Sequence, residues 1–339
     1  MIRFCLLSGV YAFFARIDRK IKSKNAVKLA KPVISVGNIT WGGTGKTPVV
    51  IKLARLLSGA GKKVCVLSRG YKRKISSRGP VVVSDGAGIL SSVEESGDEP
   101  MLIARSVPGA IVICGKDRGE SAALALKNYN VDVFILDDGF QHWKVLRDLD
   151  IVCVNAKNPF GNGCLIPAGI LREPLSELKR AGLIVINNTN FVRASELEAI
   201  EREIAAHCAA PVVRSALKAE YFARLDGSLP DARPKAAVLM SAIANNDLFK
   251  ASVESLGVKV LKHYQYRDHF KYSEAEVSNA LSGLPDGVPV IVTAKDAVKI
   301  SRYVPKDSLS RVLLLDNTVE FNHGEQVWLS KIRETVRSS

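Results

Sequence analysis

The sequence predicts an α/β protein: a P-loop NTPase-like domain on a mostly parallel sheet, a second, smaller α/β lobe, and an amphipathic helix at the N-terminus. Three observations carry this. A glycine-rich loop, "SVGNITWGGTGKTP" (35–48), joins an apolar run to a helical stretch. Short apolar runs alternate with helical stretches along the chain, the pattern of a parallel sheet covered on both faces. At the N-terminus an apolar segment runs directly into a basic cluster.

The N-terminal element comes first. Phe4 to Ala15 reads "FCLLSGVYAFFA", and Arg16 to Lys28 holds six basic residues against one acid, Asp18. The apolar run is about half of what a bilayer-spanning helix needs. Phenylalanines stand where a signal peptide would carry small residues before cleavage. Leu6, Val10, Phe13, Ile17 and Ile21 recur at helical spacing, so the stripe continues into the basic segment. Residues 1–28 are therefore expected to form a helix in the membrane interface, with basic side chains on lipid phosphates. A helix packed on the protein's own core would account for the stripe but leave the basic cluster without a role.

The loop follows. Val33 to Val36 suits a buried parallel strand. Gly42, Gly43 and Gly45 let backbone N–H groups turn inward around Thr44. Lys46 can reach the β- and γ-phosphates of a nucleotide and the Thr47 hydroxyl can ligate Mg²⁺. Pro48 sits in the first helical turn, where its missing N–H costs little, and the helix points its positive end at the phosphates. The strict loop pattern has a glycine where this chain has Thr40. "WGGTGKT" is closer to the deviant K-G-G-x-G-K-[ST] loop, with Trp41 replacing the signature lysine.

Further strand-like runs lie at 63–68, 109–114, 131–143, 149–155 and 182–187. Ligands of such sheets bind at the carboxyl ends of the strands. "VFILDDGFQH" places Asp137 and Asp138 at one of those ends, where a carboxylate can hold Mg²⁺ directly or through water. Two adjacent acids are costly without a cation or catalytic role to compensate them. On spacing alone, Asp98 of "SGDEP" is an N-cap candidate, and Arg172 and Glu173 of "PAGILREP" are a charged pair in a loop. The second half repeats the strand–helix alternation, with strand-like runs at 235–243, 258–263, 288–294 and 311–316. The domains expected are thus the helix at 1–28, a nucleotide-binding and catalytic domain at 29–211, a linker or β-ribbon at 212–234, and a C-terminal lobe at 235–339.

Composition sets the outer bounds. A chain of 339 residues with 47% hydrophobic content can bury a sizeable core. Its six cysteines are scattered without C-x-x-C spacing, which argues for buried reduced thiols and against a zinc site. The net charge of +14 calls for an anionic partner. No aromatic-interleaved basic module points to nucleic acid, and nothing in the sequence demands more than a monomer.

"GNITWGGTGKTP", "LSRGY", "GDEP", "LDDGFQH", "PAGILREP", "YRDHF" and "TAKDAVK" occur in this order. Together they resemble the lipid A 4′-kinase (tetraacyldisaccharide 4′-kinase) family, from the N-terminal helix to about Ile300. The resemblance implies Mg²⁺-dependent transfer of the ATP γ-phosphate to the 4′-hydroxyl of an acylated glucosamine disaccharide 1-phosphate. It places the work at the cytoplasmic face of a Gram-negative inner membrane, with the N-terminal helix as anchor. Substrate and membrane would then both be anionic lipids. Carried over, Asp98 corresponds to the catalytic aspartate that accepts the sugar hydroxyl proton and His269 to its partner, although His263 lies six residues earlier. Asp137 and Asp138 match the acidic pair near the metal, Arg172 and Glu173 the pair at the phosphates and Mg²⁺, and Arg69 and Tyr71 would line the same cleft. Asp98 and His269 fall in different lobes, which would have to close over a shared substrate. Ala294 stands where family members commonly carry glutamate, near the expected adenine position. The competing reading is a membrane-associated partitioning-type ATPase of the deviant P-loop kind, which Trp41 and "RDHF" disfavour.

Overall fold

The structure, a computed structural model, describes residues 2–70, 79–225, 228–268 and 270–337. Tyr71 and His269 lie outside the described residues. The chain divides into two compact units, Met1–Leu217 with Val319–Ser339, and Lys218–Thr318.

The first unit opens with α1 (Ile2–Lys24), β1 (Val33–Gly37), α2 (Lys46–Gly59), β2 (Val64–Ser68) and β3 (Val81–Asp85). Next come α3 (Val93–Ser96), α4 (Asp98–Ser106), β4 (Ile111–Cys114), α5 (Arg118–Asn128) and β5 (Val133–Asp137). β6 (Leu149–Asn155), β7 (Leu183–Asn187), α6 (Ala194–Ala205) and the part of β8 (Val212–Arg224) up to Leu217 complete its first pass. The strand order is β8-β7-β6-β1-β5-β2-β4-β3. Pairing is parallel from β8 to β4, and only the edge strand β3 runs antiparallel to its neighbour. Strands covered on both faces need continuous apolar sequence, and every residue of β1, β2, β5 and β7 is buried. Phe134, Leu136, Cys65 and Ile113 pack with α5 on one face; Val152, Ile184 and Ile186 pack with α6 on the other. Local signals start the helices. Ser92 and Glu95 form a capping box on α3, and the Asp117 carboxylate accepts from Gly119 and Glu120 at the start of α5.

The second unit contains β9 (Ala236–Ser241), α7 (Asn246–Ser255), β10 (Lys259–Gln265), α8 (Glu274–Leu281), β11 (Val290–Thr293), α9 (Ala294–Ile300) and most of β12 (Val312–His323). Its strands are parallel, in the order β10-β9-β11-β12.

Two boundaries differ from the sequence expectation. The first part of the expected linker or ribbon at 212–234 is a regular strand, β8, whose start pairs in parallel with β7. Val319–Ser339 belongs to the first unit instead of the C-terminal lobe. The cause is packing with residues far off in sequence. α10 (Glu325–Arg337) buries Trp328 against Phe321 at 4.9 Å, Lys52 of α2 lies 4.7 Å over the Phe321 ring, and Asn322 donates to the Thr189 hydroxyl.

α1 has two faces. Ser8 is buried and Tyr11, Ala15 and Arg19 are half-buried, one to each successive turn. Val10, Phe13, Phe14, Ile17 and Ile21 lie exposed on the other side, Phe13, Phe14 and Ile21 by 60% or more. No helix among the described residues is long and apolar enough to cross a membrane.

Candidate functional site

The site gathers at the carboxyl ends of β1, β5, β6 and β7. Gly42 and Gly45 adopt φ of 110° and 78°, conformations open to glycine at little cost. Gly45 is the N-cap of α2 and provides no side-chain cap, so the first N–H groups of that helix remain available to an anion. A Cβ on Gly45 would fall 2.7 Å from the Asn187 amide nitrogen. Asparagines brace the loop. Asn38 donates to the Thr44 hydroxyl at 2.9 Å, Asn155 to the Gly43 carbonyl at 3.1 Å, and Asn187 to the Thr44 carbonyl at 2.7 Å. The sequence reading missed their role, though its signal was visible: β6 and β7 end on asparagine, and Asn38 directly follows β1.

Lys46, Asp138 and Arg172 come together. Asp138 follows β5 with φ of 52°, a left-handed conformation that Asp tolerates better than most residues. Lys46 Nζ lies 3.3 Å from its carboxylate, and Arg172 donates to both oxygens at 3.1 and 3.2 Å. Burial pushes the Asp138 carboxyl up, but the Lys46 and Arg172 charges outweigh it and hold the group down at about 2. Its neighbour behaves oppositely. Asp137 is 3% exposed and accepts from the Ser68 hydroxyl at 2.8 Å. Burial, then the Glu99 and Asp138 charges, push its carboxyl up to about 7. A buried acid in that condition is a place where a divalent cation would relieve both desolvation and repulsion.

Glu173 does not join Asp137 and Asp138. It accepts from Arg180 at 2.6 Å and Gln141 at 3.0 Å, with its pKa raised by burial against the pull of Arg180. Among the described residues no three His, Cys, Asp or Glu side chains group to hold a metal ion. The expected set of Thr47, Asp137, Asp138 and Glu173 is therefore not a ready-made cage. Asp98 is the first residue of α4, and Gly97, not Asp98, is its N-cap, which corrects the capping expectation. Glu99 in the same turn acts on Asp137, so the start of α4 borders the acidic pair. Arg69 is exposed just past Ser68.

Buried basic groups also surround the site. Arg118, 3% exposed, donates to the Asp137 carbonyl at 3.2 Å. Burial, followed by the Arg118 charge, brings the His142 imidazole down to about 4, and its Nε2 has no hydrogen-bond partner among the described residues.

A parallel sheet, a glycine loop opening a helix, and a lysine and arginine sharing an acid beside that loop define a P-loop nucleotide-binding protein. Similarity to known proteins narrows this class. The family model for Tetraacyldisaccharide-1-P 4'-kinase matches residues 2–337, and the chain belongs to that family. Among curated relatives, the Tetraacyldisaccharide 4'-kinase of Geobacter metallireducens is 41% identical over 281 residues, covering 80% of each chain. That of Anaeromyxobacter sp. (strain K) is 36% identical over 311 residues, covering 89% of this chain and 81% of the relative. The crystal structure of LpxK from Aquifex aeolicus in complex with ATP is 33% identical, with a TM-score of 0.77 and 97% of each chain covered.

Proposed function

We propose that this protein transfers the γ-phosphate of ATP to the 4′-hydroxyl of an acylated glucosamine disaccharide 1-phosphate. The observation that carries the proposal is the family match along the chain, with Lys46, Asp138 and Arg172 joined beside the phosphate loop. The N–H groups of 42–47 bind the nucleotide phosphates, and Lys46 and Arg172, now spending their charge on Asp138, neutralise the transferring group. A loose phosphoryl transition state asks for such positioning and charge more than for a strong base. Asp98 takes the proton of the acceptor hydroxyl as the new O–P bond forms, while the bond from the γ-phosphorus to the β–γ bridging oxygen breaks and ADP departs. His269 is the residue assigned to orient Asp98.

The donor set fits Mg²⁺: a hydroxyl on Thr47 and the carboxylates of Asp137 and Asp138 are hard oxygen ligands, and phosphates normally complete such a shell. The ion would supply charge neutralisation on the phosphate oxygens. Glu173 belongs to the expected set, with its Oε2 held by Arg180 and Gln141.

The exposed stripe and basic residues of α1 seat the protein as a monomer on an anionic membrane surface, the cytoplasmic face of the inner membrane, where its lipid substrate is held. The partitioning-ATPase alternative is not favoured: Trp41 replaces its signature lysine, and the family match covers both units. Phosphorus NMR of the acceptor after incubation with MgATP tests the proposal. A second phosphomonoester signal on the lipid is expected; inorganic phosphate with an unchanged lipid would reject it.

A further inference from the structure

The inner face of α1 is bonded to the loop that carries Arg172 and Glu173. Ser8 donates to the Leu165 carbonyl at 2.9 Å, Tyr11 to the Arg172 carbonyl at 2.9 Å, and Arg19 to the Glu177 carboxylate at 2.6 Å. The same Glu177 oxygen accepts from Arg180 at 2.9 Å, and Arg180 holds Glu173 at 2.6 Å. The Trp143 indole has the Arg19 guanidinium at 4.6 Å and that of Arg180 at 4.3 Å, contacts that fasten the helix a second time. Arg172 leads on to Asp138 and Lys46. An unbroken chain of contacts thus runs from α1 to the phosphate loop.

The opposite face of α1 carries exposed Val10, Phe13, Phe14, Ile17 and Ile21. The two faces are separate but rigidly joined, since one helix presents both. A helix used only as an anchor needs no bond to a catalytic loop. Tyr11 in particular is half-buried, the pKa of its hydroxyl raised further above its usual value by burial and by the Glu173 charge, and that hydroxyl donates to a backbone carbonyl.

We infer that Tyr11 and Arg19 are positioning residues, which tie the seating of α1 on a lipid surface to the ordering of the Arg172–Glu173 loop. Their effect passes through the Arg172 backbone and through Glu177 and Arg180; neither residue touches the reacting atoms. The inference rests on the kinase reading for its effect on turnover, but its structural core does not. Lipid contact fixes α1, α1 fixes residues 165–180, and that loop holds Arg172 at Asp138. The protein is then more active on a membrane than in solution because the membrane completes the order of its own site, beyond any gain in substrate concentration.

Hydrogen–deuterium exchange of residues 164–180, with and without phosphatidylglycerol–phosphatidylethanolamine vesicles, tests the link on the full chain. In the unsubstituted protein, vesicles should slow exchange in this segment. Tyr11→Phe should still co-sediment with vesicles and keep its melting temperature, yet lose most of that protection. Its kcat should fall roughly three- to tenfold, the worth of one hydrogen bond, with KM for ATP unchanged. Phe13→Ser with Phe14→Ser should lose vesicle binding and loop protection together. Loop exchange that ignores vesicles, or a Tyr11→Phe protein protected like the parent, would overturn the inference. If the unsubstituted protein phosphorylates no lipid, the kinase reading fails while the exchange data still decide the coupling.

Discussion

Gly45→Ala probes the phosphate loop most sharply. At φ of 78° an alanine costs about 1–2 kcal/mol in backbone strain. Its Cβ would also sit 2.7 Å from the Asn187 amide nitrogen. That nitrogen is the end of a side chain, but not a free one: Asn187 is 3% exposed, donates to Thr44 and accepts from the Ser215 hydroxyl at 2.6 Å. Moving it forfeits one or two hydrogen bonds at about 1 kcal/mol each, for a total of about 2–4 kcal/mol. Gly42→Ala is the matched control. Its φ is 110° and a Cβ there meets nothing within 4 Å, so only the backbone strain of about 1–3 kcal/mol remains. By calorimetry, Gly45→Ala should lower Tm by about 3–8 °C, more than Gly42→Ala, and weaken ATP binding by at least about tenfold. Equal effects from the two substitutions would refute the reasoning, because they would mean Asn187 does not brace the loop.

Three further outcomes are expected. His142, ordinarily titrating at 6.5, is held down at about 4; the unfolded chain therefore takes up a proton first, and stability falls as pH drops from about 6.5 to 4, by up to about 3 kcal/mol. His142→Phe should flatten that part of the stability profile, and parallel profiles for parent and variant would count against the assignment. Asp98→Asn should lower kcat by about 10²–10⁴-fold with ATP affinity preserved in titration calorimetry, whereas full turnover would remove Asp98 from the acceptor site. In the second unit, Lys299→Met strands the fully buried Asp296 carboxylate, now 2.8 Å from the ammonium, and should cost about 3–5 kcal/mol in chemical denaturation. Adding Asp296→Asn should recover much of that loss, and a double variant no more stable than the single one would contradict the ion-pair account.

The parts of this molecule legible in the sequence are those set by local chemistry. Short apolar runs mark β1, β2 and β4 to β7, and the loop at 42–47 announces its own geometry through Gly42 and Gly45. What stayed hidden depends on which distant residues meet. Nothing near Trp328 in the sequence indicates that it packs on Phe321 beneath Lys52, so a lobe expected at 235–339 does not anticipate that Val319–Ser339 clusters with the first unit. Asn187 reads as an ordinary strand end until Thr44 is placed beside it. Glu173 follows Arg172 directly, and successive side chains in a loop face different neighbours, so Arg172 turns to Asp138 while Glu173 turns to Arg180. The helix at the N-terminus was read for its apolar stripe; the polar inner face of Ser8, Tyr11 and Arg19 acquires meaning only through the carbonyls and carboxylate it meets.

The central claim is that the phosphate leaving ATP arrives on a lipid. Incubating the protein with γ-labelled ATP, Mg²⁺, detergent and acylated glucosamine disaccharide 1-phosphate, then extracting the lipid, tests it directly. Label in the lipid fraction that vanishes when the acceptor is omitted is the predicted result. Label released only as inorganic phosphate, at the same rate with and without acceptor, would contradict it.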